Sequence, residues 1–562
     1  MPDRNAAIWY ARDGYDPASG GLNGRRVAGA SFLKGFFRHA DVTEYVSITI
    51  GEKSAKEFLS QKTSHNTSLP YRAVFENDLT KLHPVGTIYY PAPNIAEQLW
   101  RRQAYGMQHH SICGITHTTA TQAIMRGILD LRAGPQAPWD GIICTSHAVH
   151  AATLRNIEIA DEFLRARFGT VPPRPQMPVI PLGINCDDFT HDPAARAALR
   201  KRMGWAKSDI AVVTISRLLP YGKFDPGPLF IALQQAQTAL GRKRRLHFIA
   251  CGLYGDRHSE NVFNDCAKAL MPDVSFHHLP GDDPVARKQT LSGGDIFAFP
   301  IDNVQETFGL APIEGMAAGL PVVVSDWDGM RDTVTHDVGF RAPSYFASAH
   351  ATQPEAKGYL SGSLSYAQYG NRLSMVTEIS IAKMTEAFVT LASDHALRQK
   401  MGKAAQARAE QIYDWRVVVP QMQDFWQELA AIRKSAVKTM APTNRVNPVG
   451  ALPGDLFSSY PTGRYDRDNV RIVWTGRTEQ LANLFKIRRF AQIGQPAEKR
   501  ETLTRIADAL ARHGAKGITI NGLATAEKLN PNTVERSVLF FLKYALATSA
   551  PGINAPKDKP IG

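Results

Sequence analysis

Along the first 190 residues, short apolar runs rich in β-branched side chains alternate with stretches whose apolar positions recur at helical spacing. Runs at 6–11, 44–50, 87–90, 111–116, 141–144 and 178–181 predict strands, and 120–132 and 148–167 predict helices between them. The rhythm then restarts. Strand-like runs at 210–216, 246–251, 274–277, 296–298 and 321–325 are separated by helical segments such as 229–240. Strand, helix, strand in this order implies a parallel sheet covered on both faces. Its repetition predicts an α/β chain with two doubly wound, Rossmann-like domains, 1–190 and 191–430, facing a ligand-binding cleft. The pattern dissolves across 431–460, around Asn447, Pro448, Gly450, Pro453 and Gly454, which reads as a linker. Beyond it, Leu503, Ile506, Ala507 and Leu510 recur at helical spacing and stop at Gly514, and a second helix covers 533–546. Residues 461–562 are therefore predicted to form a small, basic, mostly helical appendage.

Length agrees with this division, since 562 residues exceed one core and suggest about three domains. No run of about 18 apolar residues is present that would span a membrane. The start, MPDRNAAIWYARDG, lacks the charged-then-apolar layout of a secretory signal. Five scattered cysteines, Cys113, Cys144, Cys186, Cys251 and Cys266, form no C-x-x-C pair. That argues against a disulfide framework or a zinc site and predicts a cytoplasmic location. Charge is distributed unevenly. Residues 431–562 hold 21 Lys/Arg against 10 Asp/Glu, a net +11 of the chain's +13. Such a tail can meet nucleic acid, anionic lipid or acidic polysaccharide, or simply stay solvated.

The most informative stretch is 299–331, FPIDNVQETFGLAPIEGMAAGLPVVVSDWDGMR. Glu306 falls at a loop end, Pro312 suits the first turn of a helix beginning near Phe308, and Gly319 with Pro321 stop that helix before a buried strand. The N–H groups of Thr307, Phe308, Gly309 and Leu310 would then face outward at a helix N-terminus, a site for a diphosphate. Glu314 lies roughly 12 Å farther along at about 1.5 Å per residue, about the span from a donor's sugar ring to its ribose. A second stretch, AVVTISRLLPYGK, places Arg217 at the carboxyl end of a strand and Lys223 after a Pro-Tyr-Gly turn. Two fixed cations there would stabilise a departing nucleotide diphosphate without a metal.

Arg217 and Lys223, followed by Glu306 and Glu314 within ETFGLAPIEGMAAGLPVV, resemble the signature of family-four retaining glycosyltransferases. The resemblance runs from the strand at residue 6 to IYDWRVVVPQMQDFWQEL, which is similar to that family's closing helix, crossing back to the first domain. It implies a GT-B fold, a nucleotide-sugar donor in the interdomain cleft, no cofactor and no metal, and retention at the anomeric carbon. By the same resemblance Glu306 would bind donor-sugar hydroxyls, Glu314 the ribose, and Arg217 with Lys223 the diphosphate. The family also implies a front-face substitution, in which the leaving phosphate helps accept the acceptor's proton.

In the first domain, Gly20 and Gly21 follow the first strand, where glycine lets backbone approach a phosphate closely. The resemblance places that loop beside the donor phosphate. It also places His117, after the strand SICGIT, near the anomeric centre. SHAVHAAT, 146–153, opens a helix that could line the acceptor side. The acceptor is expected to be a glycan or a lipid-linked sugar. The helix 31–39, SFLKGFFRH, mixes Phe32, Leu33, Phe36 and Phe37 with Lys34 and Arg38, so it is either core or a contact with an anionic membrane at the inner face.

Asp326-Trp327-Asp328 imitates the D-x-D metal motif of the other large glycosyltransferase fold, but no metal is assigned to it. Residues 525–542, TAEKLNPNTVERSVLFFL, resemble a helix-turn-helix with Thr533 and Arg536 on the reading helix, although the turn reads about two residues short. Nucleic acid is not the expected partner. Two rival readings are a phosphorylase-like enzyme carrying lysine-bound pyridoxal phosphate, and a nucleotide- or DNA-binding regulator with a transferase-like body.

Overall fold

The computed structural model describes residues 4–16, 24–65, 67–436, 447–487 and 498–549. Its first sheet holds β1 (Ala7–Trp9), β2 (Tyr45–Thr49), β3 (Tyr71–Phe75), β4 (Thr87–Tyr89), β5 (Ser111–Ile115) and β6 (Gly141–Ile143). They pair in parallel in the order 3-2-1-4-5-6. The second sheet holds β7 (Ile210–Ile215), β8 (Leu246–Gly252), β9 (Ser275–Pro280), β10 (Ile296–Phe299), β11 (Val322–Ser325) and β12 (Gly339–Ala342). Its order, 9-8-7-10-11-12, repeats the same plan, again all parallel. Every residue of β2, β5, β7, β8, β10 and β11 is buried. Helices cover both faces, so these strands read as continuous apolar runs. The order reverses between β1 and β4 and between β7 and β10, and the carboxyl ends there open the crevice of a doubly wound sheet. This is the GT-B arrangement of two Rossmann-like domains.

Three elements depart from the pattern reading. β3 and β12 were not expected; β3 is a short edge strand with Phe75 exposed, and β12 begins on a glycine. The run at 178–181 is not a strand. Gln176 and Val179 make only isolated bridges to Gly141 and Cys144, because Pro178 and Pro181 have no N–H to donate to a ladder.

The helix Gly24–His39 settles one alternative. Phe32, Leu33, Phe36 and Phe37 are all buried, packed among Tyr45, Tyr89, Trp415 and Trp426. Lys34 pairs with Asp188 at 2.5 Å. These four apolar side chains are therefore core and not a membrane contact. Among the described residues, no helix is long and apolar enough to cross a membrane. All five cysteines are free, and four are buried.

The chain crosses back along Trp415–Ser435, a helix capped by Asp414, whose carboxylate accepts the Arg416 N–H. Trp415 donates its indole N–H to Ser31 Oγ at 2.8 Å, and Arg433 donates to Ser111 Oγ at 3.2 Å. A Cβ added at Gly35 would lie 2.3 Å from Trp415 Cγ, and one at Gly183 2.6 Å from the same ring. Glycine at both positions therefore makes the slot into which the indole fits.

Residues from Arg445 onward form a separate compact unit. Leu503, Ile506, Leu510, Ile520, Leu523, Val534, Val538 and Phe541 make its core. Besides helices it contains an antiparallel sheet of β15 (Arg471–Trp474), β16 (Ile518–Thr519) and β17 (Ala547–Ser549), ordered 16-15-17 and too short to read from pattern. The helices Ile520–Glu527 and Pro531–Lys543 are joined by a full three-residue turn, which corrects the short turn expected from sequence. Lys528, at φ 51°, closes the first helix by sending its N–H to Ala524 and Thr525 carbonyls. On the second helix, Arg536 pairs with Glu498 at 3.0 Å and Glu535 pairs with Arg467.

Candidate active site

Strand ends of the second sheet bring the predicted residues together. Arg217 follows β7 and Glu306 follows β10, the two strands that flank the reversal of strand order. Arg217, Lys223, Glu306, Thr307, Phe308, Gly309, Leu310, Glu314 and His117 all line one cleft of about 390 Å³. That volume falls in the range of small-molecule sites. From the first domain, Gly24, Val27 and Ala28 at the start of the helix Gly24–His39 close the cleft on the other side. Gly20 and Gly21 lie outside the described residues.

Glu306 and Lys223 form an ion pair, with side chains only 12% and 21% exposed. The Lys223 ammonium also sits over the Phe299 ring, 5.5 Å from its centroid. Burial raises the Glu306 carboxyl, but the Lys223 charge and the amides of Gly309 and Phe308 outweigh it, leaving the group below its ordinary value. Arg217 makes no ion pair among the described residues. Its guanidinium is therefore the cation at the strand ends that no carboxylate neutralises.

The helix N-terminus differs from expectation. It begins at Leu310, two residues later than predicted, because Gly309 adopts the left-handed conformation at φ 84°. Glu306 Oε1 accepts the Gly309 N–H at 3.0 Å. One of the four amides expected to face a diphosphate, that of Gly309, is thus held by the protein's own glutamate, one turn upstream. Phe308 turns its side chain inward against Tyr413, so only its backbone can serve the cleft. Thr307 donates its hydroxyl to the His117 carbonyl at 3.1 Å, tying the two domains at the site.

Glu314 is buried beside Arg287, which donates to it at 3.2 Å. Burial raises the Glu314 carboxyl, and Arg287 pulls the other way without fully offsetting it. Arg287 lines the same cleft and is a site residue that sequence reasoning missed. It lies on the helix Pro284–Gly293 with no spacing signal to Glu314.

The D-x-D imitation resolves into two separate carboxylates. Asp326 pairs with Arg341 at 3.3 Å. Asp328, at φ 44°, accepts from Ser146 Oγ at 3.3 Å. Burial and the nearby Glu306 charge push Asp328 up to about 8, so it is largely protonated at neutral pH. Ser146 caps the helix His147–Phe168, and the His147 N–H donates to Asp332 at 2.7 Å. The helix opened by SHAVHAAT therefore docks its first turn on the second domain. Among the described residues, no group of three or more His, Cys, Asp or Glu could hold a metal ion.

Comparison with known proteins follows these lines. A phosphatidylinositol monomannoside mannosyltransferase of Mycobacterium tuberculosis, GDP-mannose-dependent by name, is 29% identical over 187 residues, 32% of this chain and 46% of that protein. The sulfoquinovosyl transferase of Arabidopsis thaliana is 30% identical over 203 residues, 36% of this chain and 31% of that protein. The chain thus matches less than half the length of these relatives. Among solved structures, HepE of Anabaena with UDP and glucose covers 74% of this chain and 98% of its own, at 16% identity and a TM-score of 0.45. Sucrose-phosphate synthase of Thermosynechococcus elongatus covers 76% and 99%, at 15% identity and a TM-score of 0.46. Residues 196–354, which carry Arg217, Lys223, Glu306 and Glu314, match the model of glycosyl transferases group 1.

Proposed function

We propose that the chain is a retaining glycosyltransferase that moves a hexose from a nucleotide-diphosphate sugar to a glycan or a lipid-linked sugar. The observation that carries this reading is the convergence of Arg217, Lys223 and Glu306 at the switch point of the second sheet, in one cleft with Glu314. Glu314 takes the ribose hydroxyls, Arg217 and Lys223 take the diphosphate, and Glu306 takes donor-sugar hydroxyls. On donor binding the Lys223–Glu306 pair opens, and each group turns to its own part of the ligand. The carbon–oxygen bond at the anomeric centre breaks with its electron pair leaving on the diphosphate, whose growing charge the two cations stabilise. The acceptor oxygen bonds to the same face of that carbon, and its proton passes to the departing phosphate oxygen. His117, whose backbone is held by Thr307, lies on the sugar side. The two cations supply the charge neutralisation a divalent ion would otherwise bring, so the reaction proceeds with no metal and no cofactor. The mannosyltransferase of Mycobacterium tuberculosis, named for a phosphatidylinositol monomannoside, supports a glycolipid acceptor.

The test is release of nucleoside diphosphate from a panel of UDP-, GDP- and ADP-sugars, with Glu306→Ala and Lys223→Ala beside the wild type and with EDTA present in parallel. Turnover of one donor, lost in both variants and indifferent to EDTA, is expected. Absence of binding to every donor, even with membrane or glycan extracts added, would sink the reading.

A further inference from the structure

Connections between strands and helices in doubly wound domains usually take about 2–6 residues, and much longer ones are commonly functional. One connection here is far longer. Between β12 and the helix Ile381–Ser393, residues 343–380 leave the sheet. They form an antiparallel pair, β13 (Ser344–Phe346) with β14 (Thr377–Ile379), and two helices, Gln353–Leu360 and Tyr366–Ser374. The second helix carries a full capping box between Ser365 and Gln368, so its start is well defined.

This excursion meets the first domain at 118–122, next to His117, through its tyrosines. Tyr359 stacks on Tyr369 at 4.4 Å, and its hydroxyl accepts the Gln122 N–H at 3.1 Å. Tyr366 meets Thr118 Oγ1 at 3.4 Å. Gly370, one turn on, packs against Asn303 and the Gln305 side chain. Thr118 follows His117, and Gln305 precedes Glu306. His117, Gln305 and Glu306 all line the donor cleft, whereas Tyr366 stands just outside it. Its half-buried phenol is raised by burial and drawn back first by the Thr118 hydroxyl and least by the Arg217 charge. Through Tyr366 and Gly370 this helix thus meets the immediate neighbours of His117 and Glu306.

We propose that Tyr366 is an acceptor-binding residue, whose ring face and hydroxyl hold the pyranose ring of an acceptor sugar at the mouth between Thr118 and Gln305. This rests on the glycosyltransferase reading. An aromatic ring with a polar tip suits a sugar, whose C–H face packs on the ring while its hydroxyls reach the phenol. The pyranose can come from a free glycan or from a glycolipid headgroup.

Stimulation of nucleoside diphosphate release by methyl glycosides and by octyl glycosides of glucose, galactose and mannose tests the idea in the full chain. Tyr366→Ala is expected to raise KM for the stimulating glycoside at least tenfold, with kcat changed less than threefold. Tyr366→Phe keeps the ring and is expected to raise KM less than threefold. The Kd for nucleoside diphosphate and the Tm report on the integrity of both variants. Stimulation by methyl glycosides marks a free glycan as the source, and stimulation by octyl glycosides alone marks a lipid headgroup. Equal KM in wild type and Tyr366→Ala would overturn the inference alone. So would a parallel loss of nucleotide affinity and Tm, which would make the tyrosine a prop of the wall. Donor turnover that no glycoside stimulates would overturn the sugar-acceptor class. A wild type that binds no nucleotide sugar would overturn the glycosyltransferase reading beneath it.

Discussion

Lys223 and Glu306 neutralise each other across the donor cleft, while the same glutamate holds the Gly309 amide at the start of the following helix. The residues proposed for the sugar and for the diphosphate are therefore each other's partner before a ligand arrives. A ligand that takes both residues must replace this contact, and the Gly309 amide is freed only when Glu306 swings away.

Charge removal at either residue should have opposite effects on product binding. Glu306→Ala frees Lys223 and the Gly309 amide, so nucleoside diphosphate should bind at least as tightly as in wild type while sugar turnover falls about 100-fold, the order expected for one lost transition-state contact. Lys223→Ala leaves a largely buried carboxylate without its partner, at a cost of about 3 kcal/mol, and should weaken nucleoside diphosphate binding. Calorimetric titration with denaturation of both variants checks this. Equal loss of affinity in both would refute it.

Arg287 should govern how nucleotide affinity depends on pH. Burial lifts the Glu314 carboxyl and Arg287 restrains the rise. In Arg287→Met that restraint is gone, so Glu314 protonates at higher pH and loses the capacity to accept two ribose hydroxyls. Affinity of the variant should fall as pH is lowered from 8 to 5.5, more steeply than in wild type. Titrations of nucleoside diphosphate across that window give the answer; parallel curves would reject it.

Above about pH 6.5, where the histidines lowered by burial, His110 foremost, are neutral in both states, fold stability should decline as pH rises to about 8. Asp328 is pushed up to about 8 by burial and by Glu306, and Asp302 to about 7 by burial. A carboxyl raised in the fold binds more protons there than in the unfolded chain. Its contribution is complete below the ordinary carboxylate value, is lost progressively up to the folded value, and is flat beyond it. Carboxylates held low, such as Glu306 and Asp414, act only at more acid pH. Asp328→Asn should flatten much of this slope, measured by urea denaturation at half-unit intervals. An unchanged slope would count against protonated Asp328.

Docking of the closing helix should depend on the slot for Trp415. Trp415→Ala empties a fully buried site and should cost about 3–5 kcal/mol. Gly35→Ala places a methyl group 2.3 Å from the indole and should cost about 1–3 kcal/mol by overpacking. Both should lower Tm and speed hydrogen exchange in residues 415–435. A Gly35→Ala variant as stable as wild type would show that the indole can move aside.

Much of this was legible from sequence for identifiable reasons. Arg217 directly follows an apolar run, and a charge in that position marks the crevice end of a buried strand. Glu306 and Glu314 stand either side of a helix start bracketed by Pro312 and Gly319. Other features carried no local signal. Arg287 meets Glu314 only because two helices pack together, and Tyr366 meets Thr118 across 248 positions of sequence. The start of the helix at Leu310 depends on the left-handed Gly309, and the tail's sheet is built from strands of two to four residues. The edge strands β3 and β12 are only partly buried, so they lack the continuous apolar run that marks the central strands.

The return of Trp415–Ser435 onto the first sheet has a consequence for how the molecule can be dissected. Arg4 pairs with Asp424, and Ser111 with Arg433, so the opening segment and the last long helix of the body share one core. The first domain is discontinuous in the chain. A cut at residue 190 yields neither half intact, because one fragment lacks its final helix and the other carries that helix with its apolar face bare. Only a circular permutation that joins residue 435 to residue 4 would give a separable acceptor half, and the donor half alone would run from about 190 to 414.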